Sequence, residues 1–163
     1  MDATEAPWAP HFQMETYVAR DLIEAAEGAF PLDGKRRGIF GHSMGGHGAL
    51  TLALKNRHLF HSVSAFAPIV SPTRCPWGLK AFSAYLGDDR AAWRAHDAAA
   101  LLEENVADRF DDILIDQGLA DPFLENQLKP DLLEAAASQA GQPLTLRRHE
   151  GYDHSYFFMT TFM

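Results

Sequence analysis

Residues Gly41-His42-Ser43-Met44-Gly45 read G-x-S-x-G, the pattern of a serine nucleophile carried on a sharp strand-to-helix turn. Arg37-Gly38-Ile39-Phe40 ahead of them is a short apolar run with strand character, and Gly46 to Lys55 behind them is small and helix-forming. That order holds the serine hydroxyl out at the carboxyl end of a sheet. The flanking glycines let the chain pass close to the strained central residue. A hydroxyl attacks only when a base takes its proton, and the base needs an acid to fix its tautomer and balance its charge. On such an elbow the partners follow the serine as acid, then histidine, and this chain supplies both in that order. Asp121, in Gly118-Leu119-Ala120-Asp121-Pro122, lies just after an apolar run. Asp116 competes but sits at the end of the run itself, and Asp111 and Asp112 sit at its other end. Asp121 would equally suit a turn before Pro122. His154, in Gly151-Tyr152-Asp153-His154-Ser155, is the histidine that follows the last apolar run. His149 is the other late candidate but continues that run, and a solvated loop histidine is the plainer reading of His154.

Other reactive residues point to less. His42 and His47 are five apart across a turn with no third ligand near them, which does not make a metal site. Cys75 has no flanking acid or base and reads as a small packing residue. Trp77, in Cys75-Pro76-Trp77-Gly78, belongs to a loop on the functional side, where it would wall a substrate pocket or pack in the core.

The elements that must position these residues alternate. Met14, Tyr17, Val18, Leu22 and Ala25 recur at helical spacing, predicting an amphipathic helix over 12–28. A strand over 36–42 and the elbow helix over 45–55 follow. A second strand covers 62–67, helical stretches lie near 78–86 and 89–105, and Asp97 suits an N-cap for the later half of the second. Residues 112–116 form a third strand. Pro130 and Gly141 fit the first turn and the stop of a helix over 130–140. A fourth strand covers 144–148, and 155–163 reads as helix. Strand and helix in alternation predict an α/β fold, a mainly parallel sheet flanked by helices, with sites beyond the carboxyl ends of the strands. There is no internal repeat or linker, so residues 1–163 read as one domain.

Composition narrows the function. The 163 residues are 47% hydrophobic and 22% charged, enough for a buried core. A net charge of -8 argues against nucleic acid, because no basic stripe neutralises phosphates. The first residues lack a signal-type apolar core, no apolar run reaches membrane-spanning length, and a single cysteine is compatible with a reducing cytoplasm.

With these pieces in place, the chain resembles the S-formylglutathione hydrolase (esterase D) family of α/β-hydrolases. The carrying segments are Gly41 to Leu50, Ser64-Ala65-Phe66-Ala67-Pro68-Ile69, Cys75-Pro76-Trp77-Gly78, Lys80-Ala81-Phe82, Tyr85-Leu86-Gly87, Ile115-Asp116-Gln117-Gly118 and Gly151 to Tyr156. The resemblance implies a triad of Ser43, Asp121 and His154, and the N–H of Met44 as one oxyanion donor. It implies hydrolysis of a small-molecule glutathione thioester, S-formylglutathione, to glutathione and formate, a step of formaldehyde detoxification that needs no metal or redox cofactor. It is compatible with a homodimer, since members of that family are often dimeric. Those members are longer: the early strands and the loop with the second oxyanion donor have no counterpart here, and the chain stops within the final helix. The expectation is therefore a partial α/β-hydrolase domain. Beside the thioesterase stand a broader carboxylesterase with the same triad, an acyltransferase on the same fold, and a truncated, non-catalytic remnant.

Overall fold

The apolar runs fold as parallel strands in sequence order: β1 (Gly38–His42), β2 (Ser62–Phe66), β3 (Ile113–Gly118) and β4 (Leu144–His149). The structure, a computed structural model, describes residues 1–104 and 109–163. Alternation along each strand splits its side chains between two faces. Ile39, Val63, Ala65, Ile113, Ile115, Leu144 and Leu146 point to one face. They pack there against helices α3 (Met44–Lys55), α6 (Ala98–Glu103) and α7 (Pro130–Ala140). Small residues at Ala49, Ala53, Ala99 and Ala137 let these helices approach closely, and Leu50, Leu102 and Leu133 fill the space between them.

Among the described residues, the opposite face is covered only at its carboxyl end. Helix α8 (Tyr156–Phe162) lays Phe158 edge-on against Phe66, with ring centroids 6.1 Å apart. Further along, Phe40 is 58% exposed. β1 pairs only with β2 among the described residues, so its outer edge is open.

Two predicted helices are subdivided. The 12–28 periodicity resolves into α1 (Met14–Thr16), a wide π-helical turn over Tyr17–Asp21, and α2 (Leu22–Ala29). Val18, Ala19 and Ile23 of this segment face the core. The 89–105 stretch breaks into α5 (Arg90–Trp93), a 3₁₀ turn over Arg94–His96, and α6; residue 105 lies outside the described residues. Asp97 causes the break. Its backbone is extended, and Oδ1 caps α6 by accepting Ala100 N–H at 3.0 Å. Its Oδ2 accepts Ser71 Oγ at 2.9 Å and Thr73 Oγ1 at 2.6 Å, fixing the loop into α4 (Pro76–Tyr85). The signals at the ends of α7 act as expected: Pro130 opens it and Gly141 closes it at φ 66°. Among the described residues no helix is long and apolar enough to cross a membrane.

Two histidines, His47 of α3 and His96 beside it, are held neutral. His47 is buried with Nε2 2.7 Å from the His96 carbonyl, and burial lowers its pKa. His96 is pushed down to about 4, first by burial and then by Lys55; the attraction of Glu15, 3.6 Å from Nδ1, does not offset them. Below pH 6.5, the ordinary histidine value, the unfolded chain therefore binds more protons than the folded one, and the stability they contribute is lost as pH falls. We expect the melting temperature to drop between pH 6.5 and pH 4, and His96→Gln to flatten that slope by up to about 1.4 kcal/mol per pH unit. Thermal melts across that range, wild type beside variant, check it; parallel slopes would remove His96 from the acid response.

Candidate active site

The elbow is built by steric exclusion. Ser43 sits at φ 56° and ψ −115°, a conformation a residue with a side chain rarely adopts. It is held by Ser43 N–H donating to the Phe66 carbonyl at 2.9 Å, and by its own carbonyl accepting His47 N–H at 3.0 Å and Ile69 N–H at 3.3 Å. A Cβ on Gly41 would stand 2.2 Å from the Gly45 carbonyl oxygen, and one on Gly46 would stand 3.0 Å from Pro68. A Cβ on Gly45 would meet nothing within 4 Å. The close approaches are thus at Gly41 and Gly46. The second glycine of the motif contributes its backbone rather than a need for space. Met44 heads α3 with its N–H unbonded among the described residues and its side chain 59% exposed.

The acid and the histidine come from adjacent strand exits. Leu119 N–H donates to the His149 carbonyl at 2.9 Å and Ala120 N–H to the Tyr152 carbonyl at 2.9 Å, so the turns after β3 and β4 are laced together. Gly118 permits this, since a Cβ there would fall 2.3 Å from the Tyr152 oxygen. Just beyond the lacing, one residue past Ala120 and two past Tyr152, Asp121 Oδ2 accepts His154 Nδ1–H at 2.6 Å. The carboxylate is buried. Its Oδ1 accepts Phe123 N–H at 2.8 Å, and Gln117 Nε2 donates to Oδ2 at 3.4 Å. With Nδ1 committed to the carboxylate, Nε2 is the ring nitrogen left for proton transfer.

The His154 ring lies between two others. His42 packs on it with centroids 4.5 Å apart and tilted by 39°, and Phe123 meets it edge-on at 5.1 Å. Ser43 Oγ makes no hydrogen bond among the described residues; His154 is brought to the elbow through His42, the residue before the serine. Catalytic hydrogen bonds are often long in an empty site and tighten when substrate arrives. Burial, and then the nearness of His154, lower the pKa of His42, so its ring is a neutral packing surface.

Ser43, Met44, Asp121 and His154 thus gather at one end of the sheet. Trp77 lies in a helix rather than a loop: it stands in the first turn of α4, is exposed, and its backbone N–H donates to Gln127 Oε1 at 3.0 Å. Pro76 at N1 was the signal for that helix start. Cys75 is buried against the Pro72 carbonyl, and burial pushes its thiol up, away from the reactive thiolate. His42 and His47 diverge, one to His154 and the other to His96. Among the described residues no group of three His, Cys, Asp or Glu is arranged to hold a metal ion. Three supporting residues went unread from sequence. The position of His42 beside the serine and of Phe123 two residues after Asp121 were available cues; nothing local marks Gln117 as a donor to Asp121.

The Esterase family model matches residues 1–161. The chain is 53% identical over 163 residues to the S-formylglutathione hydrolase of Paracoccus denitrificans, covering all of this chain and 57% of that protein. It is 51% identical over 164 residues to the S-formylglutathione hydrolase of Rattus norvegicus, again covering all of this chain and 58% of that protein. Among solved structures, an S-formylglutathione hydrolase from Agrobacterium tumefaciens superposes with a TM-score of 0.95 at 53% identity. That match covers 99% of this chain and 58% of the other. The chain therefore spans somewhat over half the length of these relatives.

The steric account predicts a contrast between neighbouring glycines. Gly41→Ala should cost about 1–3 kcal/mol of stability by overpacking the elbow. Gly45→Ala, in open space on a helix, should be neutral or gain about 0.5–1 kcal/mol. Chemical denaturation of the two variants checks this, and equal losses would contradict it.

Proposed function

This chain belongs to the esterase family, and from that premise we propose that it carries the catalytic half of a serine thioesterase acting on S-formylglutathione. The observation that carries the reading is the buried Asp121 carboxylate bonded to His154 Nδ1 beside the strained Ser43 turn. The names of its relatives supply the substrate.

In this reading Ser43 Oγ attacks the formyl carbonyl carbon while His154 Nε2 takes its proton. Asp121 stabilises the imidazolium that forms. The developing oxyanion is met by the N–H of Met44, one such donor supporting roughly a hundredfold of rate or more. The carbon–sulfur bond breaks, glutathione leaves as the thiolate and takes the proton from His154, and a formyl ester remains on Ser43. Water, deprotonated by His154, attacks that ester, and the proton returns to Ser43 as formic acid departs and ionises to formate in solvent. No metal or redox cofactor enters these steps. A cytoplasmic setting is part of the proposal, supported by the single, buried thiol of Cys75.

A second reading, a broader carboxylesterase with the same three residues, is favoured by the apolar rim of the site. Met44 beside the serine, Phe123 against His154 and Tyr156 against His42 are all exposed, a surface suited to acyl groups larger than formyl.

The test is hydrolysis of S-formylglutathione and of an aryl acetate by the chain and by Ser43→Ala. We expect turnover of the thioester to exceed that of the aryl ester, and the substitution to lower kcat by about a thousandfold or more. Preference for the aryl ester would select the carboxylesterase reading. A folded chain with no Ser43-dependent turnover of either would sink both.

A further inference from the structure

Two aspartate–histidine pairs, not one, bridge the exits of β3 and β4. Asp121 and His154 are 33 residues apart and bonded at 2.6 Å; so are Asp116 and His149, with His149 Nε2 on Asp116 Oδ1. Only the first pair stands beside Ser43. The second lies one step back into the sheet, on the face covered by α8.

Asp116 does not need His149 for its charge. Its buried carboxylate is gripped in two-pronged fashion by Arg147, with Nε 2.7 Å from Oδ1 and an Nη 2.6 Å from Oδ2. That fork already satisfies both oxygens. The imidazole must therefore be accounted for by what else it touches. Its ring lies flat on Phe162 of α8, with centroids 3.7 Å apart and planes within 19°, and it meets Phe158 and Tyr152 at 6.1 Å. Its carbonyl accepts Leu119 N–H from the turn that carries Asp121. One residue thus joins β3 by its side chain, the Asp121 turn by its backbone, and α8 by its ring. The loop between its two anchorages, residues 150–155, is the loop that carries His154.

We propose that His149 is a positioning residue. Its hydrogen bond to Asp116 fixes both ends of the 150–155 loop and so sets the distance and angle at which His154 meets Asp121. The role is independent of charge neutralisation, which Arg147 supplies. The inference rests on the catalytic reading above in assigning work to His154, but its geometric content does not. Without the bond, the ring can turn on Phe162, the start of the loop and the foot of α8 lose their common reference, and His154 samples positions off the Asp121 carboxylate. Misplacement of a reacting group by about 1 Å is enough to slow a reaction severalfold to a hundredfold.

Two variants separate bonding from packing. His149→Phe keeps an aromatic ring to lie on Phe162 and removes the donor, leaving Asp116 satisfied by Arg147. His149→Gln restores an amide donor within reach of Asp116 without the ring. The readouts are the low-field proton resonance of the His154–Asp121 hydrogen bond, seen by NMR in the resting protein, and the kcat and KM of thioester hydrolysis. For His149→Phe we expect the resonance to broaden or vanish, and kcat to fall by about tenfold with KM changed less than about twofold. His149→Gln should recover most of both. A His149→Phe protein that is folded, keeps the resonance and keeps its kcat would overturn the proposal. So would equal damage in both variants, which would show that a hydrogen bond to Asp116 does not by itself hold the loop. If the wild-type chain hydrolyses nothing, the catalytic reading fails by itself. The resonance in the two variants then still decides whether His149 positions His154.

Discussion

The lacing of the β3 and β4 exits is the constraint on which the site depends. Two backbone hydrogen bonds, Leu119 to His149 and Ala120 to Tyr152, join the end of β4 and the turn after it to the turn after β3, at the same edge of the sheet. They form only because Gly118 has no side chain to hold Tyr152 away. Once they form, the reach from Asp121 to His154 is short, and the carboxylate is buried where its hydrogen bonds cannot be exchanged for water. Burial makes the bond stronger and also makes its loss more costly, because the carboxylate would then keep only Phe123 N–H and Gln117 Nε2 as donors at that depth.

The elbow has a different physical origin. Strain at Ser43 is opposed from both sides: by the Phe66 carbonyl on the strand side and by the Pro68–Ile69 turn pressed against Gly46. That turn has its own unusual residue, Ala67 at φ 43°, whose N–H is tied to the Asp116 carbonyl. Strain at the serine is therefore carried by the sheet through β2 into β3, the strand that holds the acid. The two halves of the site share one mechanical element. The buried Asp97 network, linking Ser71, Thr73 and the start of α6, fixes the continuation of the same loop.

The sheet is unequally covered, and the site lies at its better-covered end. One face is packed by α3, α6 and α7 along its whole length. The other has α8 over the carboxyl ends of the strands and leaves Phe40 on β1 exposed. His149, stacked on Phe162, belongs to the small aromatic cluster through which α8 is held. The residues that would do chemistry thus stand on the best-packed part of an incompletely covered sheet, which preserves their geometry near the open edge.

What the sequence determined by itself is whatever local chemistry dictates. Pro130 and Gly141 mark both ends of α7 because a missing N–H and a positive φ act within a single residue's reach. The strands were legible from their apolar runs, and the alternation of strand and helix from the periodicity. Ser43, Asp121 and His154 could be named because chain order and loop position restrict the candidates. The tertiary structure decided what depends on contact across the chain. No periodicity signals the π-helical turn at Tyr17–Asp21, and Trp77 lies in a helix rather than a loop. The close approach in the elbow involves Gly46 rather than Gly45, because Pro68 lies over one and open space over the other. Asp116 and His149, each a passed-over competitor in the sequence, prove to be bonded to each other. Their pairing requires β3 and β4 to lie side by side in a particular register. Register is a property of two strands packed together, and neither strand's sequence contains it alone.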